Sequence, residues 1–370
     1  MDAHDHRNCQ RPQFTIGDKL TTEPMLGAEL STVVSETELR ELTIRVLEHH
    51  GATTGTAVLQ ADALVEGELR GHPSHGLRRL PVIVERMRRG LIDVQATPRL
   101  EWRAEASLTV DGNMGFGPVA LDAAIEAVSA RAARTGIAMA AISRSSHIGM
   151  LAPYVERIAR QGCIGLLLTT SEALVHAWGG RSRAVGTNPI GVGIPTADEP
   201  LTLDMSTSAV SMGKIIDYAA KGRALPDGWA TDRFGEPTRN ASEAADFGAL
   251  SPFGGPKGYA LGVAIESLVA TVTQTAYGAD ILGTLDSEHP VTKGDLLVVI
   301  SLDALGLRPV LPFLTDYLTQ IRASGGASTA VDVPGDRARR TRSESCAHGV
   351  PVDSAVWVHA HRLAEGSELS

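Results

Sequence analysis

Apolar residues in the first third of the chain recur at the spacing of amphipathic helices. Residues 1–32 show no sustained period and are expected to form a flexible tail. Ser35 and Glu38 then have the spacing of a capping box, which predicts the start of a helix. Proline, serine and glycine break the pattern at residues 73–76, after the second helix. The three predicted helices cover about residues 35–51, 57–69 and 80–90.

Beyond residue 105, short apolar runs alternate with helical segments. The predicted strands cover residues 107–110, 137–142, 164–169, 189–195, 201–204 and 296–302. The predicted helices cover residues 119–135, 151–161 and 258–273, and residues 222–248 are expected to be rich in loops. This alternation predicts an α/β or mixed α+β fold. Because no repeat or linker interrupts it, the two chain ends are expected to pack together around a central sheet.

Composition and charge argue against several classes of function. The chain has 370 residues, 43% hydrophobic and 21% charged, so it can bury a core. A formal net charge of −9 disfavours general binding to nucleic acid or anionic membrane, and the arginine runs at 86–89 and 337–342 are expected to be solvated. Three scattered cysteines predict neither a disulfide framework nor a metal site. No window suits a transmembrane helix and residues 1–13 do not resemble a signal peptide, so a cytoplasmic location is expected.

A histidine and an arginine stand close together after the second predicted helix. If the third helix begins near His75, then His75 and Arg79 lie one turn apart on one helix face. Histidine suits proton exchange near neutral pH, and the arginine fork can bind both oxygens of a carboxylate. The pair therefore predicts a site for a small organic acid. A helix-capping histidine with a surface arginine is the alternative, and spacing alone favours it.

Two further polar clusters follow predicted strands, where ligand sites often lie. His147 stands between a strand end and a helix start, and the helix N-terminus disfavours a charged imidazole there. A loop histidine with purely structural contacts fits that segment equally well. Asp204 opens a run of small polar residues, 204–208, that suits an anion or nucleotide pocket. Its carboxylate could orient a histidine, hold a ribose hydroxyl, or cap a helix.

A glycine-rich turn at residues 254–259 contains Lys257 and precedes a predicted helix. Glycines beside a lysine allow close approach to a phosphate, although the spacing is not that of a Walker motif and a plain turn is the alternative. The G-x-x-G-x-G run at residues 112–117 does not match the dinucleotide-binding fingerprint. The HExxH and GxSxG motifs are absent, which disfavours zinc proteolysis and serine hydrolysis.

Taken in order, these segments resemble the type-2 malate/L-lactate dehydrogenase family, from about Ser35 to the C-terminal end. That family also holds ureidoglycolate, sulfolactate and diketogulonate oxidoreductases and cyclic-imine-carboxylate reductases. Six or more blocks in the same order are hard to obtain by chance. The blocks with the most specific match are residues 74–81, 146–149, 179–180, 186–190, 204–208, 213–214, 254–259 and 334–336.

The resemblance implies a non-Rossmann fold with a large, mostly antiparallel or mixed sheet, usually assembled as a homodimer. It implies NADH or NADPH as the cofactor and a small carboxylate substrate. Because the sequence contains no metal-binding cluster, the cofactor is expected to bind without a metal. It divides the chain into a helical substrate-side region at 33–105, completed by 305–370, and a cofactor-binding sheet domain at 106–304.

The resemblance also carries roles for particular residues. His75 matches the histidine often assigned as proton donor, and His147 matches a second active-site histidine. Arg79 matches the residue that binds the substrate carboxylate, and Ser74 lies beside it. The positions that fall on cofactor-lining blocks are Ser171, Asp204, Met205, Ser206, Thr207, Lys257, Gly335 and Asp336.

Three departures surround the expected substrate pocket and leave the substrate open. Ile83 stands where many members carry tyrosine, one helical turn after Arg79. Glu172 lies in a segment, 170–172, that differs from the usual Asn-Ser, and Ser146 replaces a common asparagine. Because Ile83 continues the helix face of Arg79, it is expected to border the substrate.

Three functions are compatible with this sequence. The first is reversible reduction of a 2-keto acid to a 2-hydroxy acid, with His75 favoured as proton donor because of the helix face it is expected to share with Arg79. In that scheme His147 stays neutral and hydrogen-bonds the carbonyl, and Asp204 orients one imidazole. The second is reduction of a cyclic imine carboxylate, for which Ile83 leaves room. The third is a catalytically silent binding protein on the same fold.

Overall fold

A computed structural model of the protein describes residues 31–326 and 330–366. The helices are α1 (Glu36–His49), α2 (Thr54–Leu69), α3 (Leu80–Arg88), α4 (Gly117–Thr135), α5 (Ala152–Arg160), α6 (Met212–Ala220), α7 (Ala241–Asp246), α8 (Pro256–Thr273), α9 (Leu311–Ala323), α10 (Asp336–His348) and α11 (Ser354–Ala364). The strands are β1 (Ser31–Val34), β2 (Arg99–Ala104), β3 (Ser107–Gly115), β4 (Ile137–Ser145), β5 (Cys163–Thr169), β6 (Ala173–His176), β7 (Arg183–Gly186), β8 (Ile190–Ile194), β9 (Leu201–Met205), β10 (Ala230–Thr231), β11 (Pro237–Thr238), β12 (Ala249–Leu250), β13 (Gly294–Ser301) and β14 (Val350–Asp353).

The two ends of the described chain pack together in a helical layer. The Ser35 hydroxyl and the Glu38 carboxylate complete the predicted capping box at the start of α1. Strand β1 pairs antiparallel with β14, and α11 packs on α1. The apolar faces of α1, α2, α3 and α11 form one core. Most of the expected tail, residues 1–30, lies outside the described residues, and Ser31 and Thr32 belong to β1.

The central sheet has seven strands in the order β2-β3-β4-β13-β5-β8-β9. Only β3 and β4 run parallel, and every other neighbouring pair is antiparallel. Helices α4 and α5 pack against one face, and α8 packs against the other through Ile265 and Val269. The predicted mixed, mostly antiparallel, non-Rossmann sheet is confirmed.

A second sheet of five short strands, β11-β10-β12-β6-β7, lies beside α6 and α7 around a small core. Strands β10 and β11 and helix α7 lie within residues 222–248, and the rest of that segment lies outside helices and strands, as its predicted richness in loops requires. None of the helices within 31–326 and 330–366 combines the length and apolar composition that crossing a bilayer requires.

Candidate active site

Helix α2 packs against both segments that contain the predicted site histidines, the turn of His75 and the loop of His147. Ala63 and Gly67 are one turn apart on the same face of this helix. A Cβ at Gly67 would come within 2.7 Å of the His75 carbonyl oxygen, and a Cβ at Gly149 would touch the Ala63 Cβ at 3.5 Å. Small residues at these positions therefore let the backbones of two distant loops approach the same helix.

This close approach brings the two histidines together. The rings of His75 and His147 are stacked, with centroids 5.7 Å apart and planes inclined by 29°. The Ser74 hydroxyl lies 3.1 Å from Nδ1 of His75. The backbone N–H of Gly149 donates to Nδ1 of His147 at 3.1 Å. Since Nδ1 of His147 is an acceptor, its neutral ring carries the proton on Nε2.

Burial and a neighbouring cation hold both rings in the neutral form. Burial lowers the pKa of His75 to about 4, and the positive charge of Arg79 adds to the effect. The same two causes, in the same order, lower the pKa of His147 well below its ordinary value. Near neutral pH the site therefore presents two uncharged imidazoles beside the guanidinium of Arg79.

The expectation that His75 and Arg79 share a helix face is wrong. Residues Pro73–His75 and Leu77–Arg79 form two separate 3-10 turns, and α3 begins only at Leu80. Gly76 breaks the turn with φ −100° and ψ −142°. The N–H of Leu77 is held by the Glu68 carboxylate of α2 at 2.8 Å, which fixes the break in place. The argument that favoured His75 as proton donor therefore no longer holds.

Arg79 and His147 line one small cavity. Its lining residues are Arg79, Val82, Ile83, Arg86, Ile92, Ser146, His147, Gly283 and Thr284. The free volume is about 10 Å³, which is close to the space of one water molecule. Nη2 of Arg79 donates to the Thr284 carbonyl, while its buried Nε has no partner among the described residues. The predicted substrate-side residues Arg79 and Ile83 are thus together, and His147 rather than His75 joins them.

Asp204 was expected to orient a histidine, but its side-chain oxygen Oδ2 bonds to the start of α5. Its Oδ2 accepts from the N–H groups of Leu151 and Ala152, both at 2.8 Å, at the start of α5. Burial raises its pKa, and these two hydrogen bonds oppose that effect. Asp204 thus caps the helix that follows the His147 loop, the structural alternative considered from the sequence, because exposed helical N–H groups attract a carboxylate.

Small polar residues from three blocks meet in one network. The Ser171 hydroxyl accepts from the Thr187 N–H at 2.8 Å, and Thr207 donates its hydroxyl to the Thr187 carbonyl at 2.9 Å. Ser206 lies 3.0 Å from the Ser208 hydroxyl, and Met205 ends strand β9 just before them. The Ser171 and Thr207 hydroxyls therefore hold their two loops against the Thr187 segment.

Neither Lys257 nor Asp336 is among the residues that line the cavity with Arg79 and His147. Lys257 is exposed in the first turn of α8, whose preceding glycines, Gly254 and Gly255, have φ of 56° and 64°. Asp336 follows Gly335 at the start of α10, and ion pairs with Arg322 and Arg339 lower its pKa. It borders an open groove of about 1260 Å³ that α5 also lines. The carboxylate of Asp336 is therefore already neutralised by side chains.

Over residues 34–359 the chain matches the family described as malate/L-lactate dehydrogenase. The chain belongs to this family. It is 32% identical over 336 residues to the malate/(S)-sulfolactate dehydrogenase of Methanothermus fervidus, covering 90% of this chain and 97% of that protein. It is 34% identical over 337 residues to a Delta(1)-pyrroline-2-carboxylate/Delta(1)-piperideine-2-carboxylate reductase of Pseudomonas syringae pv. tomato, covering 90% and 96%.

The fold is shared with solved structures. A dehydrogenase from Sinorhizobium meliloti superposes with a TM-score of 0.87 at 42% identity, over 91% of this chain and 99% of that chain. Membership in the malate/L-lactate dehydrogenase family confirms the predicted enzyme class, an oxidoreductase of the dehydrogenase or reductase type. Its relatives act on 2-hydroxy acids and on cyclic imine carboxylates, as their names state.

The family implies a nicotinamide cofactor, and the start of α8 has chemistry that fits its phosphates. This helix has 18 residues, and none of the side chains that the structure describes caps its first N–H groups. The N-terminal end of a helix carries partial positive charge, and the ammonium group of Lys257 adds a full one. In residues 31–326 and 330–366, no group of three or more His, Cys, Asp or Glu side chains is arranged to hold a metal ion.

Three polar residues at or beside the cavity were not predicted from the sequence as site residues. Arg86 was expected to be solvated, yet it is 3% exposed and lines the cavity. Thr284 lines the cavity from a loop that is far from Arg79 in the sequence, and no recognisable motif surrounds it. Glu172 was noted only as a departure from the family; its carboxylate accepts from the N–H groups of Thr284 and Leu285 at 2.7 and 2.8 Å. The only sequence signal that could have placed Arg86 in the site is its position three residues after Ile83, on the same helix face.

Proposed function

We propose that this enzyme transfers a hydride between a nicotinamide cofactor and C2 of a small 2-keto or 2-hydroxy acid. The observation that carries the proposal is the cavity shared by Arg79 and His147. There a guanidinium whose buried Nε has no partner among the described residues stands beside an imidazole whose proton is on Nε2. Such a pair can bind a 2-oxo acid, because the guanidinium binds the carboxylate while the imidazole hydrogen-bonds the neighbouring carbonyl.

In the proposed reaction Arg79 binds the substrate carboxylate and so fixes the orientation of C2. His147 donates a hydrogen bond from Nε2–H to the carbonyl oxygen. As the alkoxide forms, the ring takes up a proton from solvent at Nδ1 and transfers its Nε2 proton to the alkoxide, so the histidine ends the step neutral. His75, stacked on His147 and held by Ser74, keeps that ring in place. When bound, the cofactor supplies the hydride. Carboxylate binding also neutralises Arg79, whose charge lowers the pKa of both histidines, and the rings then hold a proton more readily.

The cofactor is proposed to be NADH or NADPH, bound without a metal. The proposed lining is Ser171, Asp204, Met205, Ser206, Thr207, Lys257, Gly335 and Asp336. Asp204 acts there by fixing α5, and Lys257 with the start of α8 offers positive charge to a phosphate. Titration of both reduced cofactors after chelation tests this point. Binding that is lost with EDTA and restored by zinc would contradict it.

Reduction of a cyclic imine carboxylate is the second candidate, because Ile83 occupies the position where a tyrosine would narrow the cavity. Ile83 is buried and lines that cavity together with Arg79. A relative at 34% identity carries this activity in its name. Turnover of pyruvate-like acids and of a piperideine carboxylate should be compared in the wild type and in Ile83→Tyr. Tyrosine should change the ratio of the two rates and leave cofactor affinity alone. An unchanged ratio would remove Ile83 from the substrate pocket.

A homodimer is also proposed, in line with the family. The outer face of α8 exposes Leu261 and Leu268, spaced two turns apart, with Ala264 between them and Ala260 beside Leu261. Apolar helix faces of this kind are usually covered by another chain. Sedimentation equilibrium of the wild type and of Leu268→Glu tests the proposal. A wild type that sediments as a monomer would contradict it.

A further inference from the structure

The glycine run at residues 112–117 packs the start of α4 against the C-terminal end of β4. A Cβ at Gly112 would lie 2.7 Å from the Ser145 Cβ, and a Cβ at Gly117 would lie 2.2 Å from the Ser146 carbonyl oxygen. Because larger residues at these positions would push the two segments apart, glycine permits the close approach. The run, which does not match the dinucleotide-binding fingerprint, therefore brings a helix terminus to the segment that follows β4.

The hydroxyl of Ser146 caps this helix terminus from outside the helix. Helix α4 has 19 residues, and Phe116 at its N-cap position has no side-chain acceptor. The N–H of Gly117, the first residue of α4, donates to Oγ of Ser146 at 2.9 Å. The N-terminal end of a helix carries partial positive charge, and hydrogen bonds in a chain polarise one another. The contact therefore makes the hydroxyl of Ser146 a stronger hydrogen-bond donor.

The proton of this hydroxyl has no acceptor among the described residues. A serine hydroxyl carries one proton to donate as well as lone pairs that accept. Ser146 is 5% exposed, so bulk water does not satisfy that proton. The residue lines the same small cavity as Arg79 and His147. The free volume of about 10 Å³ is close to that of one water molecule, so these three side chains surround a single small position.

All three side chains offer donors to that position. The buried Nε of Arg79 has no partner among residues 31–326 and 330–366, and the neutral ring of His147 carries its proton on Nε2. The carboxylate of a 2-oxo acid suits the guanidinium, which leaves the neighbouring carbonyl oxygen to the imidazole and the hydroxyl. Two neutral donors at one oxygen stabilise negative charge there, because each hydrogen bond strengthens as the charge develops.

We propose that Ser146 is a further catalytic residue, which donates a hydrogen bond to the carbonyl oxygen beside His147 and stabilises the alkoxide that forms when C2 receives the hydride. This inference rests on the proposed function. Ser146 keeps its own proton throughout the step, because the proton that ends on the alkoxide comes from Nε2 of His147. The Gly117 N–H holds the hydroxyl oxygen in place, so the positive end of α4 supports the donor.

The binding of two inhibitors distinguishes this role from a purely structural one. Oxamate carries a carboxylate beside a carbonyl, whereas propanoate carries the carboxylate alone. The Kd of each is measured for the complex of the enzyme with reduced cofactor, in the wild type and in Ser146→Ala. The variant should bind oxamate about 3- to 10-fold more weakly, as expected for one lost hydrogen bond, and should bind propanoate with an unchanged Kd. Equal weakening of both inhibitors, or of neither, would overturn the proposal.

Single-turnover hydride transfer to a 2-oxo acid measures the contribution of Ser146 to the transition state. Ser146→Ala should slow the transfer by on the order of 10²-fold, more than it weakens oxamate binding, because the hydrogen bond strengthens as the alkoxide forms. Ser146→Asn should restore part of the rate, since its amide can accept from the Gly117 N–H and also donate into the cavity. This variant also guards against a folding defect in the alanine variant.

Ser145→Ala is the matched control for the loss of a buried hydroxyl. Ser145 is 1% exposed, its hydroxyl lies 3.3 Å from the Asp295 carboxylate, and it is not among the residues that line the cavity. The transfer rate and the Kd of oxamate should stay at the wild-type values in this variant. A wild-type transfer rate in Ser146→Ala would overturn the role of Ser146 and leave the proposed function intact. A wild type that reduces no 2-oxo acid would contradict both.

Discussion

His75 and His147 are stacked with ring centroids 5.7 Å apart, yet only His147 lines the cavity with Arg79. The Gly149 N–H donates to Nδ1 of His147, so the proton of the neutral ring is on Nε2. The tautomer of His75 is not fixed in this way, because its Nδ1 faces a hydroxyl that can donate or accept. This difference supports His147 as the proton donor and His75 as the ring that supports it. The spacing of the residues in the sequence could not distinguish these two roles.

The histidine pair depends on a glycine of α2. Gly67→Ala places a Cβ within 2.7 Å of the His75 carbonyl oxygen, so the His75 turn must move. Turnover should fall by on the order of 10²-fold, as expected when a catalytic group is displaced by about 1 Å. Gly55→Ala in the same helix meets no atom within 4 Å and should stabilise the fold by up to ~1 kcal/mol without loss of activity. Equal activity of the two variants would show that the close approach at Gly67 is unimportant.

Asp204 is predicted to act on α5 rather than on a histidine. Asp204→Ala removes the acceptor for two helical N–H groups and should lower the free energy of unfolding by about 0.5–2 kcal/mol. Asp204→Asn keeps an acceptor oxygen and should lose less. The pH profile of kcat/KM in Asp204→Asn should match that of the wild type. A displaced profile with normal stability would instead return Asp204 to a histidine-orienting role.

Much of the fold could be predicted because its signals are local. The capping box at Ser35 and the apolar spacing that follows it gave α1 correctly. Helices α9 and α10 were not predicted, because each buries only one residue, Leu318 or Ser345, and so shows little apolar periodicity. The pairing of β1 with β14 joins opposite chain ends, and no local pattern encodes it.

The site was predictable only where the chemistry lies in a motif. His75, Arg79 and His147 stand in short recognisable segments, and the structure brings the two histidines together. The roles of Thr284 and Glu172 arise from contacts between residues far apart in sequence, such as the hydrogen bond from Arg79 to the Thr284 carbonyl. Arg86 was misassigned because a run of arginines usually faces solvent.

Substitution of Arg79 should separate substrate binding from cofactor binding. Arg79→Lys keeps the charge but loses the fork, so substrate binding should weaken by about 1.5–3 kcal/mol while the Kd of the reduced cofactor stays the same. Arg78→Lys is the control, because Arg78 pairs with Asp353 at 3.6 Å outside the cavity. If KM for the acid is unchanged in Arg79→Lys, Arg79 is not the carboxylate anchor.

The lowered histidine pKa values predict how stability depends on pH. The unfolded chain binds a proton at His75 near its ordinary pKa of 6.5, whereas the folded chain does so only near about 4. Stability should therefore decrease as the pH falls from about 6.5 to 4, by at most ~1.4 kcal/mol per pH unit for this group. His147, with a lower pKa for the same reasons, adds to the slope.

The contribution of these two rings can be isolated by difference, since His50, His72 and His359 also have lowered pKa values. Urea unfolding of the wild type and of the His75→Asn, His147→Asn double variant should be measured across this pH range. The double variant should show the shallower dependence. Parallel curves would mean that neither ring is held neutral in the folded protein.

Single-turnover hydride transfer to a 2-oxo acid tests the central claim most directly, that Arg79 and His147 act together on one substrate. Stopped-flow absorbance of the reduced nicotinamide is followed in the wild type, His147→Asn and His75→Asn after cofactor binding has been confirmed for each. His147→Asn should slow the transfer by ~10²–10⁴-fold, the range typical of a lost general acid, and His75→Asn should slow it less. Near-normal transfer in His147→Asn, with transfer abolished in His75→Asn, would contradict the account.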